Sequence, residues 1–274
     1  MKKIYYITAV FATLFLVGCG DGIDLPGVNV ETDLNKIPLP DNNVNLEQVE
    51  LKPSTEPMLH EGLHTEEDFQ RIRDKKAAGE EPWVSAYQLL VESQFSQKTA
   101  DTYPTEWIKR GISGDENYMN AARGATIVYQ QALRWKIEQD DEYAAKAVEN
   151  LNKWVQTCVG VTGNTNLSLA AGLYGYEFAI AGELLRDYGG WDRADFAAFQ
   201  NWLLKVFYPA NDDFLKRHHD TNALHYWANW CLCNIAAKMA IGIVTDRRDI
   251  YNEGIAHLQT GDTCLLYTSD AADE

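Results

Sequence analysis

The chain has 274 residues, 46% of them hydrophobic, and a formal net charge of −16. That length can hold a domain with a sizeable core. The charge, with a pI near 4.7, argues against nucleic acid as a partner, because phosphate neutralisation needs clustered Lys and Arg. Eight tryptophans and fourteen tyrosines suit stacking on sugar faces, although aromatic-rich cores are the commoner cause of such a composition.

The N-terminus, MKKIYYITAVFATLFLVGCGDG, opens with Lys2 and Lys3 followed by an apolar run from Ile4 to Val17, too short and wrongly flanked for a membrane span. It reads as an export signal over residues 1–18. Its LVGC end resembles the bacterial lipoprotein signal, which implies that Cys19 takes the lipid once the signal is removed. A diacylglyceryl group plus an N-acyl chain meets the two-anchor requirement for stable attachment. The expected protein is therefore exported and lipid-anchored to a bacterial membrane, facing the periplasm or the cell surface. Residues 19–57 are rich in Pro, Asn and Asp without a sustained period, the composition of a flexible acidic linker.

Residues 58–262 pass the helical test throughout, and strand patterns are absent. HTEEDFQRIRDKKAAG starts with Thr65 and carries Asp68 three residues on, a capping-box signal, and it ends at Gly79. EPWVSAYQLLVESQF has Pro82 in its first turn and sets Trp83, Tyr87 and Leu90 on one side. ENYMNAARGATIVYQQALRWKIEQ and DEYAAKAVENLNKWVQTCV pair across Asp140 and Asp141 as an antiparallel hairpin. NLSLAAGLYGYEFAIAGELLRDY and DRADFAAFQNWLLKVFYPAND form a second hairpin across GGW. A helix opening at TNALHYWANW pairs with DRRDIYNEGIAHLQTG as a third. Hairpins with one apolar face must stack on neighbours. The expected fold is all-α, an α/α toroid of antiparallel hairpins, incomplete because the chain ends early. The tail CLLYTSDAADE resembles translated sequencing-adapter read-through, so residues 263–274 are expected to be non-native and the chain a fragment.

Cys231 and Cys233 lie two apart on a predicted helix and point to opposite sides. With Cys158, they read as buried thiols without a shared metal or disulfide. No zinc-type cluster, P-loop or Rossmann glycine pattern occurs, so neither metal nor cofactor is expected.

On a continuous helix, Asn222, His225 and Asn229 fall on one stripe that runs on as Leu232, Ala236 and Ala240. A polar end on an apolar shaft fits a helix opening on a pocket, with Tyr226 and Trp230 flanking and Trp227 further round. The plainer account is a core helix whose polar groups bond to neighbouring backbone. A His can move protons near neutral pH, and Asn amides can bond a carboxylate without carrying charge. Together they suit removal of the C5 proton of a uronic acid, with neutralisation of its carboxylate and expulsion of the C4 oxygen. A glycosidase would need paired carboxylates instead, and the His225 stripe has none.

HEGLHTEEDFQRIRDKKAAGEEPWVSAY, NTNLSLAAGLYGYEFAIAGELLR and HYWANWCLCNIAAKMAIGI together resemble the alginate lyase family of helical-toroid polysaccharide lyases. The resemblance implies metal-independent β-elimination on a polyuronate of alginate or glucuronan type. It implies His225 as the catalytic histidine and Asn166 as the residue neutralising the carboxylate. Asn222, Tyr226, Trp227, Asn229, Trp230 and Arg217 are the expected substrate contacts, with Tyr174 and Tyr176 as further aromatic candidates. LKRHH, residues 215–219, supplies a local positive rim. Classical members place Asn-Asn-His before x-Tyr-Trp, whereas His225 directly precedes Tyr226 and Trp227. The family's catalytic Tyr and Arg follow the third hairpin, so this chain is expected to be nearly inactive and its parent a lyase. Two other readings fit much of the sequence: a lipidated surface glycan-binding protein of the starch-utilisation type, and a helical scaffold with no sugar ligand.

Overall fold

The computed structural model of the chain describes residues 58, 60, 62–221, 223–226 and 229–260. The signal, the linker, Asn222, Trp227 and the tail lie outside the described residues, as does Cys19. What is described is mostly helical and falls in one compact unit, Val44–Glu274. Helix α1, Glu66–Ala77, starts where Thr65 accepts from the Asp68 amide and Asp68 accepts from the Thr65 amide, a reciprocal capping box. Helix α2, Trp83–Glu92, follows Pro82, which sits at its N-cap. Tyr87 and Leu90 turn inward onto the main core, as their spacing predicts.

Helices α3, Tyr118–Glu138, and α4, Asp141–Thr157, pack on one another. Gln139 closes α3 in the left-handed region, and Asp140 caps α4 by accepting from the Glu142 amide. Helix α5, Asn166–Leu184, is apolar nearly all round, and Leu169, Ala171, Phe178 and Ala181 on it are buried. A helix apolar on every side belongs in the middle of a domain. Accordingly, α5 packs mainly on α3 and on α8, Asn229–Val244, rather than on α6, Arg193–Val206, its expected hairpin partner. Gly172 permits the α5–α8 approach, because a Cβ there would sit 2.5 Å from Cys233 Sγ. Helix α9, Arg248–Thr260, packs on α8.

Three expectations are corrected. The helix expected to run from residue 192 to 212 breaks at Phe207, and α7, Tyr208–Arg217, starts anew with Pro209 in its first turn. Proline has no N–H to continue a helix and clashes with the preceding turn. The helix expected from residue 221 does not start there either. Ala223–Tyr226 form a single 3-10 turn, and α8 begins at Asn229. His225 and Asn229 therefore share no helical stripe, and Leu232, on the supposed inward face, is 38% exposed. Finally, two strands exist among the described residues: β1, Trp107–Arg110, and β2, Gly160–Gly163, parallel, with Trp107 opposite Gly160 and Arg110 opposite Gly163. Neither WIKR nor GVTG alternates apolar and polar residues, and the connection between the strands runs through α3 and α4.

The main core lies between α3, α4, α5 and α6 and is rich in aromatic rings, with Phe178 touching Trp154, Trp202 and Phe207. A smaller apolar cluster of Phe214, Leu215, Tyr226, Cys231 and Ile235 seats the chain between α7 and α8. The thiols of Cys158 and Cys231 are buried and Cys233 is half-buried.

Candidate functional site

The two strands end beside the start of α5, and this corner gathers the polar side chains. Asn117 fixes it from one side, its Oδ1 accepting from the Lys109 amide at 2.8 Å and its Nδ2 donating to the Trp107 carbonyl at 2.9 Å. That brace sets the last residue of β1, Arg110, against the first residue of α3, with the guanidinium 4.7 Å from the Tyr118 ring centre. Across the strand pair, Gly163 has φ of +150°, and a Cβ on it would fall 1.7 Å from the Arg110 carbonyl oxygen. Only glycine lets β2 close on β1 so tightly before turning into Asn164, Thr165 and α5.

Arg110 Nη1 donates to the Tyr174 hydroxyl at 3.3 Å. Burial pushes the Tyr174 phenol well above its ordinary range, with the Arg110 charge pulling the other way, so Tyr174 is a neutral hydroxyl at any physiological pH. Asn166, the first residue of α5, is half-buried, and its Nδ2 donates to Asn164 Oδ1 at 2.9 Å. On the α8 side, Cys233 closes the corner. Burial raises its thiol to about 12 with Cys231 adding to the effect, while the Arg110 charge opposes them. It is not a nucleophile at neutral pH.

The segment that joins α7 to α8 supplies the histidines. His218, His219 and Asp220 have φ of 46°, 55° and 58° in succession. The left-handed region costs an L-residue roughly 1–2 kcal/mol, so three in a row must be held by their surroundings. Thr221 does so by donating to the His218 carbonyl from its amide at 3.1 Å and its hydroxyl at 2.7 Å, and Arg217 grips Asp220 at 2.8 Å. The outcome is that His219 reaches back to α5, with Nε2 bonded to Ser168 Oγ at 3.1 Å and its ring against Phe214 and Tyr226. His218 is buried instead, 3.5 Å from Cys231 Sγ.

Of the residues expected from sequence, His225 is exposed and stands edge-on to Tyr226, ring centres 4.7 Å apart. Tyr226 is buried in the small apolar cluster and touches Phe214 and Trp230. Asn229 is exposed at the start of α8, and Trp230 is half-buried. Arg217 is exposed and bonded to both Asp213 and Asp220, which leaves little of its charge for a substrate. Lys216 pairs with Asp212, so the expected positive rim is largely neutralised. Tyr176 faces elsewhere, toward Tyr129 and Glu177. Asn222 and Trp227 lie outside the described residues. Arg110, Tyr118, Ser168 and His219 were missed as site residues. Their only sequence signal is the dipeptide HH before TNALHY, which marked His219 as part of a rim but not as the partner of α5.

Among the described residues no group of three His, Cys, Asp or Glu side chains is placed to hold a metal ion, and no helix is long and apolar enough to cross a membrane. The corner can therefore offer a guanidinium, neutral amides, phenols and imidazoles, the donor set for binding an anionic sugar and moving a proton near it. A family model described as Alginate lyase matches residues 72–263. No curated protein and no solved structure matches the chain.

Proposed function

Because the chain belongs to the alginate lyase family, we propose that it is a polysaccharide lyase cutting a uronic-acid polymer of alginate or glucuronan type by β-elimination without a metal ion. The family match carries this reading, since it spans β1, α5 and the histidine turn together. In the reaction a base removes the C5 proton, the electron pair forms the C4–C5 double bond, and the C4 glycosidic oxygen leaves with a proton. Asn166 at the α5 terminus is the proposed donor to the substrate carboxylate, which makes C5 acidic enough to ionise. His225 is the proposed proton-transfer residue, with Asn222, Tyr226, Trp227, Asn229 and Trp230 along the sugar path and Arg217 at its edge.

Incubation with alginate and with glucuronan, followed by ultraviolet absorbance of the unsaturated product, tests the reading. His225→Ala is expected to lower kcat by ~10²–10⁴, with His219→Ala costing about tenfold less. The reverse order would move the proton-transfer role to His219. Binding without product, unchanged in His225→Ala, identifies a glycan-binding protein instead. Neither product nor binding with either polymer overturns the proposal.

Packing of α5 between α3 and α8 supports the further proposal that these are inner helices of an α/α toroid. Residues 1–18 are the proposed signal, 19–57 the linker and 58–262 the lyase domain. The protein is proposed to be held at the membrane through lipid on Cys19. Palmitate labelling that persists in Cys19→Ala would exclude that anchor.

A further inference from the structure

Arg110 is a half-buried cation in a chain of net charge −16, yet no carboxylate among the described residues pairs with it. Three other half-buried or buried arginines behave differently: Arg134 is bonded to Glu138, Arg186 to Glu183 and Arg73 to Glu66. An arginine free of carboxylates on an open surface needs no explanation, because water serves it. One with its flank covered by Tyr118 and a fork nitrogen on a neutral phenol has given up part of its hydration without gaining a counter-charge. The acidic residues of its own loop are engaged elsewhere. Asp115 takes Lys109 at 2.6 Å, and Glu116 accepts from the Gly111 amide at 2.6 Å.

From this juxtaposition, and resting on the lyase reading, we infer that Arg110 receives a uronate carboxylate of the substrate, with Tyr174 fixing the guanidinium in place. The chemistry fits on three counts. A planar fork matches the two oxygens of a carboxylate, which a lysine cannot reproduce. Tyr174 is neutral and uses one nitrogen of the fork, leaving the others for ligand. The neighbouring start of α5 carries the positive end of a helix dipole and the Asn166 amide, both favourable to an anion. Arg110 is thereby a binding residue that selects charged sugars over neutral ones. Its interaction exists before the proton leaves, so its loss falls on KM more than on kcat.

The test compares binding of a saturated oligouronate with binding of the same oligomer after reduction of its carboxyl groups to neutral alcohols, by calorimetry or tryptophan fluorescence. Wild type is expected to prefer the charged oligomer. Arg110→Ala should bind it roughly 10–100-fold more weakly while binding the neutral oligomer as wild type does. Arg110→Lys keeps the charge and should recover only part of the preference, and Tyr174→Phe should loosen it by a smaller factor. Melting curves show whether each variant is folded, and Arg110→Lys carries the test if the alanine variant is not. A wild type that ignores oligouronates sinks the lyase reading itself. A wild type that prefers them, with the preference intact in both Arg110 variants, sinks the assignment of Arg110 alone.

Discussion

Two cations, Lys238 on α8 and Arg110 at the end of β1, show how differently one fold can treat a positive charge that is partly or wholly withdrawn from water. Lys238 is fully buried, and its ammonium lies 2.7 Å from both Asp212 on α7 and Glu253 on α9. Tyr208 completes the cage, its ring under the ammonium and its hydroxyl donating to Glu253 at 3.2 Å. Arg110 has the opposite surroundings, a phenol and a ring but no carboxylate. The amide cluster beneath α3 belongs with Lys238: Gln131 Nε2 donates to the Gln97 and Ala100 carbonyls, Asn150 Nδ2 to Gln131 Oε1, and Trp154 Nε1 to Thr102 Oγ1. Polar groups that hold structure are satisfied from within the chain. Those with capacity left over, in a partly open corner, are where a ligand belongs.

The largest expected effect breaks the comparison on its structural side. Lys238→Met removes the ammonium that Asp212 and Glu253 share and sets an apolar side chain beside both carboxylates. Breaking a buried pair costs about 3–5 kcal/mol, which for a domain of this size lowers Tm by roughly 6–20 °C. Arg110→Met should leave stability within about 1 kcal/mol of wild type, because no charge is stranded by it. Differential scanning calorimetry of the two variants decides the matter. Equal losses would mean that Arg110 is as structural as Lys238 and that the leftover capacity was misjudged.

How far each of these features could be read in advance follows from the range of the interaction that makes it. The capping box of Thr65 and Asp68 and the Asp140 turn are local, three residues or fewer, and were legible. The break at Phe207 was also there to be read, since Pro209 cannot sit inside a helix. The lone lysine in CLCNIAAKMAIGI signals a buried charge that needs partners, but not which ones. Arg110 and Tyr174 are 64 residues apart, and nothing in WIKRGI marks its arginine as different from the others. The histidine turn was misread for a sharper reason. HHDTNALHY contains no glycine or proline, and the left-handed run that ends α7 and delays α8 is imposed by Phe214, Thr221 and Arg217 rather than by local propensity.

A third charged cluster lies between these extremes and gives the smallest of the expected effects. His64 Nε2 is bonded to the Tyr129 hydroxyl at 2.6 Å, and Glu177 and Tyr176 on α5 face the same phenol. Burial raises the Glu177 carboxyl from its ordinary 4.5 to about 8, with the Thr126 hydroxyl opposing the shift. A carboxyl that holds its proton more tightly when folded contributes stability in full below about pH 4.5, and that contribution is lost as pH rises through 8. His64 works in the other direction, because burial lowers its pKa, so its contribution is lost only as pH falls below 6.5. The same holds for His257, lowered to about 4 by burial and then by Lys238. Between pH 6.5 and 8 the Glu177 slope therefore stands alone among these groups, and Tm should fall by a few degrees across that window. Glu177→Gln, neutral at every pH, should flatten the slope without touching affinity for an oligouronate. A slope unchanged in that variant would mean that Glu177 is ionised in the folded chain, with a counter-charge of the kind that Lys238 has and Arg110 lacks.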